Sequence, residues 1–374
     1  MRRLTFLIIF TLFIVGCDTG ASSTTTINNQ STDVAGDLNV HYIDVGQGNA
    51  TFIHFNDGEE EYTILYDVGD WQGDEVVPYL EQQQIDALNV VIVSHPHADH
   101  IGQLDKVMER FDVGEVWMSG NETNSQVFEN SMEAILQSDA GYAEPRAGEK
   151  YDIGALELAI LHPETLTGDL NEDSLSFRLT FGEVSFLFTG DATKNEELKM
   201  MERANNITAQ VLLAGHHGSD TSSDPAFIQA VNPEVAIYSA GINNSYDHPH
   251  EEVINTLLAE DIDIYGTDKN GTIIIETDGN TYNVTTERNG HAMNSDHDTS
   301  KDLEKSDTAE NCIDVNKASK TELMNIIHIG DARAEQVIEL RPFESLDDLI
   351  EISGIGEGTL TEIKEQALAC VGGE

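Results

Sequence analysis

Short apolar runs separated by polar, turn-rich stretches dominate the chain from residue 38 to residue 286. Apolar residues concentrate at 40–45, 50–55, 62–66, 90–93, 156–161, 211–214, 235–239, 263–265, 272–276 and 282–285, and a hairpin at 175–188 turns at Gly182. These runs have strand length, and the stretches between them are long enough for helices, which predicts stacked sheets with helices outside. Residues 312–374 read differently. There the apolar positions recur at helical spacing, and Ser319 and Ser345 open segments of capping-box form.

Between and before these blocks the pattern disappears. Residues 18–37 are rich in Ser, Thr and Asn, and 287–311 hold almost no large apolar side chain, so both read as polar connectors. Residues 1–17 begin with Arg2 and Arg3, continue through an apolar stretch too short to span a bilayer permanently, and end Gly16-Cys17. This resembles a bacterial lipobox, which implies export, lipidation of Cys17 and anchoring to the outer face of the cell membrane. The two remaining cysteines, Cys312 and Cys370, bracket the helical module. Outside the cytoplasm a disulfide between them is expected to persist and to stabilise the module by about 4 kcal/mol, the alternative being two free thiols.

The formal charge is -49, from 68 Asp and Glu against 19 Lys and Arg. Such a field repels nucleic acid and anionic membranes at low ionic strength but keeps a chain soluble in concentrated salt, which suggests a salt-loving or alkaline-living host; a surface built for cationic partners is the other reading.

Candidate chemistry sits in Ser94-His95-Pro96-His97-Ala98-Asp99-His100, directly after the apolar run 90–93. Imidazoles and a carboxylate suit Zn²⁺ or Mn²⁺, and the spacing lets His95 and His97 face one ion while Asp99 and His100 reach a second. Two ions about 3.5–4 Å apart polarise an ester and generate hydroxide between them.

Further motifs follow in order: residues 42–50 (YIDVGQGNA), 65–69 (LYDVG), 189–192 (TGDA), 215–219 (GHHGS) and 244–249 (NSYDHP). Together with the histidine cluster they resemble the metallo-β-lactamase fold, most closely the domain carried by the ComEC competence proteins of bacterial DNA uptake. The resemblance implies an αββα sandwich over residues 38–286, two divalent metal ions and a hydrolase. Asp191 is then the carboxylate between the ions. Asn49 stands where that family usually has aspartate. His216 is expected to complete the second ion's ligands, because on a strand-like backbone His217 points the other way. The first ion lacks a third histidine, so Asp173 or Ser174 is expected in its place, an oxygen-rich arrangement that favours Mn²⁺. Asp99 and His248 are the expected catalytic residues, His248 as a proton donor to the leaving oxygen or a phosphate contact.

The C-terminal residues 313–319 (IDVNKAS), with Ile329-Gly330 and Gly354-Ile355-Gly356-Glu357-Gly358, resemble the tandem helix-hairpin-helix domain of ComEA-type DNA receptors. Backbone N–H groups near Gly330, Gly354, Gly356 and Gly358 are then expected to hold DNA phosphates without reading bases. His328 stands where the first hairpin usually has glycine, and Lys317, Lys320, Arg333, Arg341 and Lys364 are outnumbered by acidic neighbours, so counterion release contributes little. The expected function is a lipid-anchored DNA phosphodiesterase serving DNA uptake or scavenging, with an uptake channel as a further partner. A non-catalytic surface DNA receptor, or an exported hydrolase of small phosphate or acyl esters, are the alternatives.

Overall fold

The computed structural model describes residues 36–58, 60–288, 292–293, 313–323, 326–343, 345–365 and 369–371. They fall into two compact units, one within residues 1–297 and one within 298–374. Cys17 and most of the 18–37 segment lie outside the described residues. Among the described residues no helix is long and apolar enough to cross a membrane.

The first unit opens with the antiparallel strands β1 (Asp37–Tyr42), β2 (Thr51–Asn56) and β3 (Glu61–Tyr66). Helix α1 (Val76–Gln82) leads to β4 (Ala87–Val93), and α2 (Leu104–Arg110) leads to β5 (Asp112–Met118). Helix α3 (Gln126–Gln137) precedes the short edge strands β6 (Gly141–Ala143) and β7 (Lys150–Ile153). Strands β8 (Leu156–His162), β9 (Ser176–Phe181) and β10 (Val184–Phe188) are followed by α4 (Lys194–Arg203), β11 (Val211–Leu213), α5 (Pro225–Val231) and β12 (Val235–Tyr238). The unit closes with α6 (Glu251–Ala259), β13 (Asp263–Gly266), α7 (Thr267–Asn270), β14 (Ile273–Thr277) and β15 (Tyr282–Thr286).

These strands form an eight-stranded sheet, ordered β15-β14-β1-β2-β3-β4-β5-β6, and a seven-stranded sheet, ordered β13-β12-β11-β10-β9-β8-β7. The period-2 alternation of side chains explains the layering. On β4, Val90 and Ile92 enter the core between the sheets, while Val91 and Val93 join the outer core with Leu80, Leu104 and Val107 from α1 and α2. A strand buried on both faces reads as a continuous apolar run, which is why it was visible in the sequence. Tyr66, Phe177 and Phe188 fill the central core, with ring centroids 5.2 and 4.8 Å apart along that series. Met200, Phe227 and Leu257, from α4, α5 and α6, cover the second sheet's outer face. The expected αββα sandwich is therefore present.

The polar connector expected at 287–311 starts later than its composition suggests. Arg288 pairs with Asp44 at 2.6 Å, and the Met293 N–H donates to the Ile264 carbonyl at 2.9 Å.

The second unit contains α8 (Lys320–Leu323), α9 (Asp331–Leu340), a 3-10 segment Leu346–Glu351 and α10 (Glu357–Glu365). Strands β16 (Ile313–Asp314) and β17 (Ala369–Cys370) pair in parallel and bring its ends together, a small addition to the expected all-α module. Val315, Leu323, Ile329, Val337, Leu349 and Ile363 form its core. Ser345 and Asp348 make the reciprocal bonds of a capping box. Cys370 is disulfide-bonded, and Cys312, its expected partner, lies outside the described residues.

Candidate metal centre

The loops that follow β3, β4, β10, β11 and β12 meet at one end of the sandwich, and several do so through left-handed backbone. Asp67 follows β3 at φ 57, and Gly190 places Asp191 after β10 at φ 55. A Cβ at Gly190 would stand 2.8 Å from the Ser94 Cβ and 3.0 Å from the Ser174 Cβ, so glycine permits the close approach of this turn to the histidine loop.

Two groups of donors converge there. His95, His100 and Asp191 form one, and Asp99, His100 and His217 the other, with the ligating atoms of each group within 4.8 Å of one another. His97 joins the first through its Nδ1, 2.9 Å from the Nε2 of His95. Asp191 lies between the groups. Its Oδ2 is 3.6 Å from His95 Nε2 and 3.4 Å from His216 Nε2, and its Oδ1 is 3.3 Å from His100 Nε2.

Hydrogen bonds on the far side of each ring fix which nitrogen faces inward. His100 donates from Nδ1 to Asp67 Oδ2 at 2.8 Å, and His217 donates from Nδ1 to the Ser239 carbonyl at 2.9 Å. Ser94 gives its hydroxyl proton to Asp67, so His95 donates from Nδ1 to the Ser94 oxygen at 3.0 Å. The inward Nε2 atoms of His100 and His217 then approach to 3.2 Å, with Asp99 Oδ2 also 3.2 Å from His217. Electron-rich atoms so close together require positive charge between them. Asp191 Oδ1 is buried without a hydrogen-bond partner, a further acceptor turned into the same space. The residues fit divalent ions.

Electrostatics agree. Burial opposes charge on His100, but Asp191, Asp67 and Asp99 hold its pKa well above the imidazole range. Burial likewise opposes ionisation of Asp99 and Asp191, yet neighbouring imidazoles keep both below the usual carboxylate range. Burial, followed by the charge of His100, lowers His95. The carboxylates demand positive charge, which the proton on His100 meets in part and a divalent ion would meet more fully.

The structure gathers His95, His97, Asp99, His100 and Asp191 as the sequence implies, and differs on the histidine after β11. His216 and His217 are not on a strand; they occupy a 3-10 turn at φ 53 and φ 58, which turns both rings toward the cluster. The buried His217 completes the group with Asp99 and His100, whereas His216 reaches Asp191 from the rim, its Nδ1 2.9 Å from the Thr221 hydroxyl. Asp67, which sequence reading placed in a motif without a role, is the carboxylate that orients His100 and Ser94. Asn49 donates to Asp67 at 2.9 Å. An aspartate there would set two carboxylates against each other.

Asp173 does not serve as the third ligand of the first group. Its carboxylate accepts the N–H groups of Thr167 and Gly168 and the side-chain amide of Asn121, which fastens its own loop. Ser174 does reach the site: its hydroxyl accepts the Asp191 N–H at 3.0 Å and lies 3.4 Å from His95 Nδ1. It braces two donors from behind. His248 lies over the opening, its ring 6.1 Å from His217 and nearly parallel. Burial and then His217, His216 and His250 push its pKa down to about 4, so near neutral pH it is an uncharged imidazole.

In the second unit, Gly330 and Gly356 immediately precede α9 and α10, and Gly330, Gly354, Gly356 and Gly358 are all exposed. A Cβ at Gly330, Gly356 or Gly358 would meet nothing within 4 Å, so no internal packing demands glycine there. Gly354 sits at φ 85, and His328 adopts the matching φ 63 in the first hairpin. Arg333 donates to the carbonyls of His328 and Gly354, tying the two turns together.

A two-sheet sandwich whose loops present this array of imidazoles and carboxylates defines a scaffold that could hold metal ions. Residues 43–242 match the metallo-beta-lactamase superfamily, and the chain belongs to it. Residues 308–367 match the helix-hairpin-helix motif. The chain is 31% identical to ComE operon protein 3 of Bacillus subtilis over 63% of its length and 32% of that protein's. It is 30% identical to the competence protein ComA of Neisseria gonorrhoeae over 62% of its length and 31% of the relative's, so it spans about a third of either relative. A deoxyribonuclease of Thioalkalivibrio sp. is 49% identical over 65 residues, which are 17% of this chain and 18% of that one.

Proposed function

We propose that this chain is an extracytoplasmic, lipid-anchored, metal-dependent phosphodiesterase that cuts DNA during uptake or scavenging. The observation that carries the reading is the convergence of His95, His97, Asp99, His100, Asp191 and His217 with their inward atoms facing one another. His95, His97 and Asp191 would hold one ion, and Asp99, His100 and His217 the other, with Asp191 between. When bound, divalent ions polarise a phosphoryl oxygen and lower the pKa of water. With His95 and His97 as the only imidazoles proposed for the first ion and Asp191 beside them, the donor set favours Mn²⁺ more than a three-histidine site does.

The chain's own groups supply orientation. Asp67, the Ser239 carbonyl and Ser94 lock the ring tautomers, so the donors need no rearrangement when substrate arrives. His248, uncharged and with Nδ1 free of a partner, is a hydrogen-bond donor to a phosphate oxygen more readily than a strong acid. The exposed glycines of the second unit offer backbone N–H groups to further phosphates, which raises the local DNA concentration.

The test is cleavage of DNA by chelated, metal-free and metal-reloaded protein, with His95→Ala/His97→Ala alongside. Cleavage only by the loaded wild type is expected; equal cleavage by all forms overturns the reading. The absence of a third imidazole beside His95 and His97 on the proposed first ion favours a second reading, a non-catalytic surface DNA receptor. Full metal occupancy without turnover on DNA would select it. Anchoring is tested separately by incorporation of labelled fatty acid into wild type but not Cys17→Ala.

A further inference from the structure

Of the three exposed aromatic side chains among the described residues, Trp71, Tyr142 and Tyr246, two stand at the mouth of the metal centre. Trp71 is 53% and Tyr246 61% exposed, unusual values for rings that size in a unit with an ample core. Both line a groove of about 610 Å³, which adjoins the 320 Å³ space over the metal cluster through Gln47, Ala98, Asp99 and Tyr246. Tyr246 also begins a series of near-parallel rings leading inward. Its ring lies 5.6 Å from that of His248 at an interplanar angle of 22°, and His248 lies 6.1 Å from His217 at 25°.

Neither stretch is lined by Lys or Arg, while Asp70, Glu75 and Asp99 contribute negative charge. Lys106, at the groove's edge, is already engaged by the Gly73 carbonyl and Asp74, so side chains here neutralise few phosphates and a nucleic acid is held chiefly through its bases. Exposed aromatic faces do this for unpaired bases, each stack being sequence-tolerant, and the neutral amides of Gln47 and Gln72 add hydrogen bonding. In a duplex the base faces are already occupied by one another.

We infer that Trp71 and Tyr246 form a base-stacking platform that selects single-stranded DNA and holds it by contacts largely indifferent to salt. The inference takes from the proposed function only that DNA is the substrate, and it names the strand state and the residues that set it.

Fluorescence provides the test, because the full chain has two tryptophans, Trp71 and the buried Trp117, and both lie in the first unit. The signal therefore reports DNA that contacts the first unit. The probe is a phosphorothioate oligothymidylate about a dozen nucleotides long, added to Mn²⁺-loaded protein, with a duplex of equal length for comparison and a dye-labelled version to measure total binding. The single strand is expected to quench emission in wild type, to leave Trp71→Phe unchanged, and to need roughly tenfold more DNA in Tyr246→Ala. The midpoint should move less than about threefold between about 0.1 and about 1 M NaCl. Equal quenching by duplex, a steep salt dependence, or bound DNA without quenching each overturns the inference. Cleavage without quenching would refute the platform and leave the phosphodiesterase standing; quenching without cleavage would do the reverse.

Discussion

His217 Nε2 lies 3.2 Å from His100 Nε2, although 117 residues separate the two side chains. The pairing assigns unequal duties to adjacent histidines. His217→Ala should lose about one metal equivalent and lower DNA cleavage by at least about a hundredfold, whereas His216→Ala should keep its metal content and lose about tenfold or less. Metal analysis paired with a cleavage assay checks this, and equal metal loss in both variants contradicts it.

Asp67 touches no substrate space, yet it accepts from His100, Asn49 and Ser94. Asp67→Asn should weaken metal binding by roughly 10–100-fold through loss of tautomer control at His100. Competition against a chelator of known affinity reads this directly. An unchanged affinity would make Asp67 a folding residue only.

Glu197 should give the folded protein a measurable pH response away from the metal centre. Its buried carboxylate accepts the N–H groups of Ser223 and Asp224, but burial prevails and raises its pKa from the usual 4.5 to about 7. A raised carboxylate pKa means the native state binds the proton more tightly than the unfolded chain does. Its contribution is full below pH 4.5 and is lost as pH rises through about 7, a fall of about 3 kcal/mol. The difference in unfolding free energy between wild type and Glu197→Gln, followed from pH 4 to pH 8, should shrink or reverse in the glutamine variant's favour across that window. A pH-independent difference refutes it.

Cys370 is disulfide-bonded and sits in the short β16–β17 pairing of the second unit. Cys370→Ser, or reduction, should cost this unit about 4 kcal/mol and speed its proteolysis, while the first unit's melting transition stays in place. Calorimetry of reduced and oxidised protein distinguishes the two transitions.

How much the sequence revealed follows from how each part is built. The cluster from His95 to His100 is contiguous, so its chemistry could be read without any fold. Strands β4 and β10 are buried on both faces and stand out as apolar runs. Strand β5 carries exposed residues at positions 112, 114 and 115, and β6 and β7 are short edges with no fully buried side chain, so none of the three announced itself. His217 was passed over because alternation along a strand was assumed where the backbone turns left-handed at both histidines. Asp173 looked like a ligand by position alone; only its three hydrogen-bond donors reveal it as a loop fastener.

The backbone ties between the loops around the cluster have a mechanical consequence. Trp71 N–H donates to the Ala98 carbonyl, Val68 N–H to that of His100 and Gly102 N–H to that of Gly69, and a Cβ on Gly102 would stand 2.1 Å from the Trp71 nitrogen. The indole that greets an incoming strand and the histidines that await it are therefore riveted to a common chassis. A side chain at Gly102 would push on the Trp71 backbone and on the histidine loop together, so its effect should reach both the groove and the metal centre.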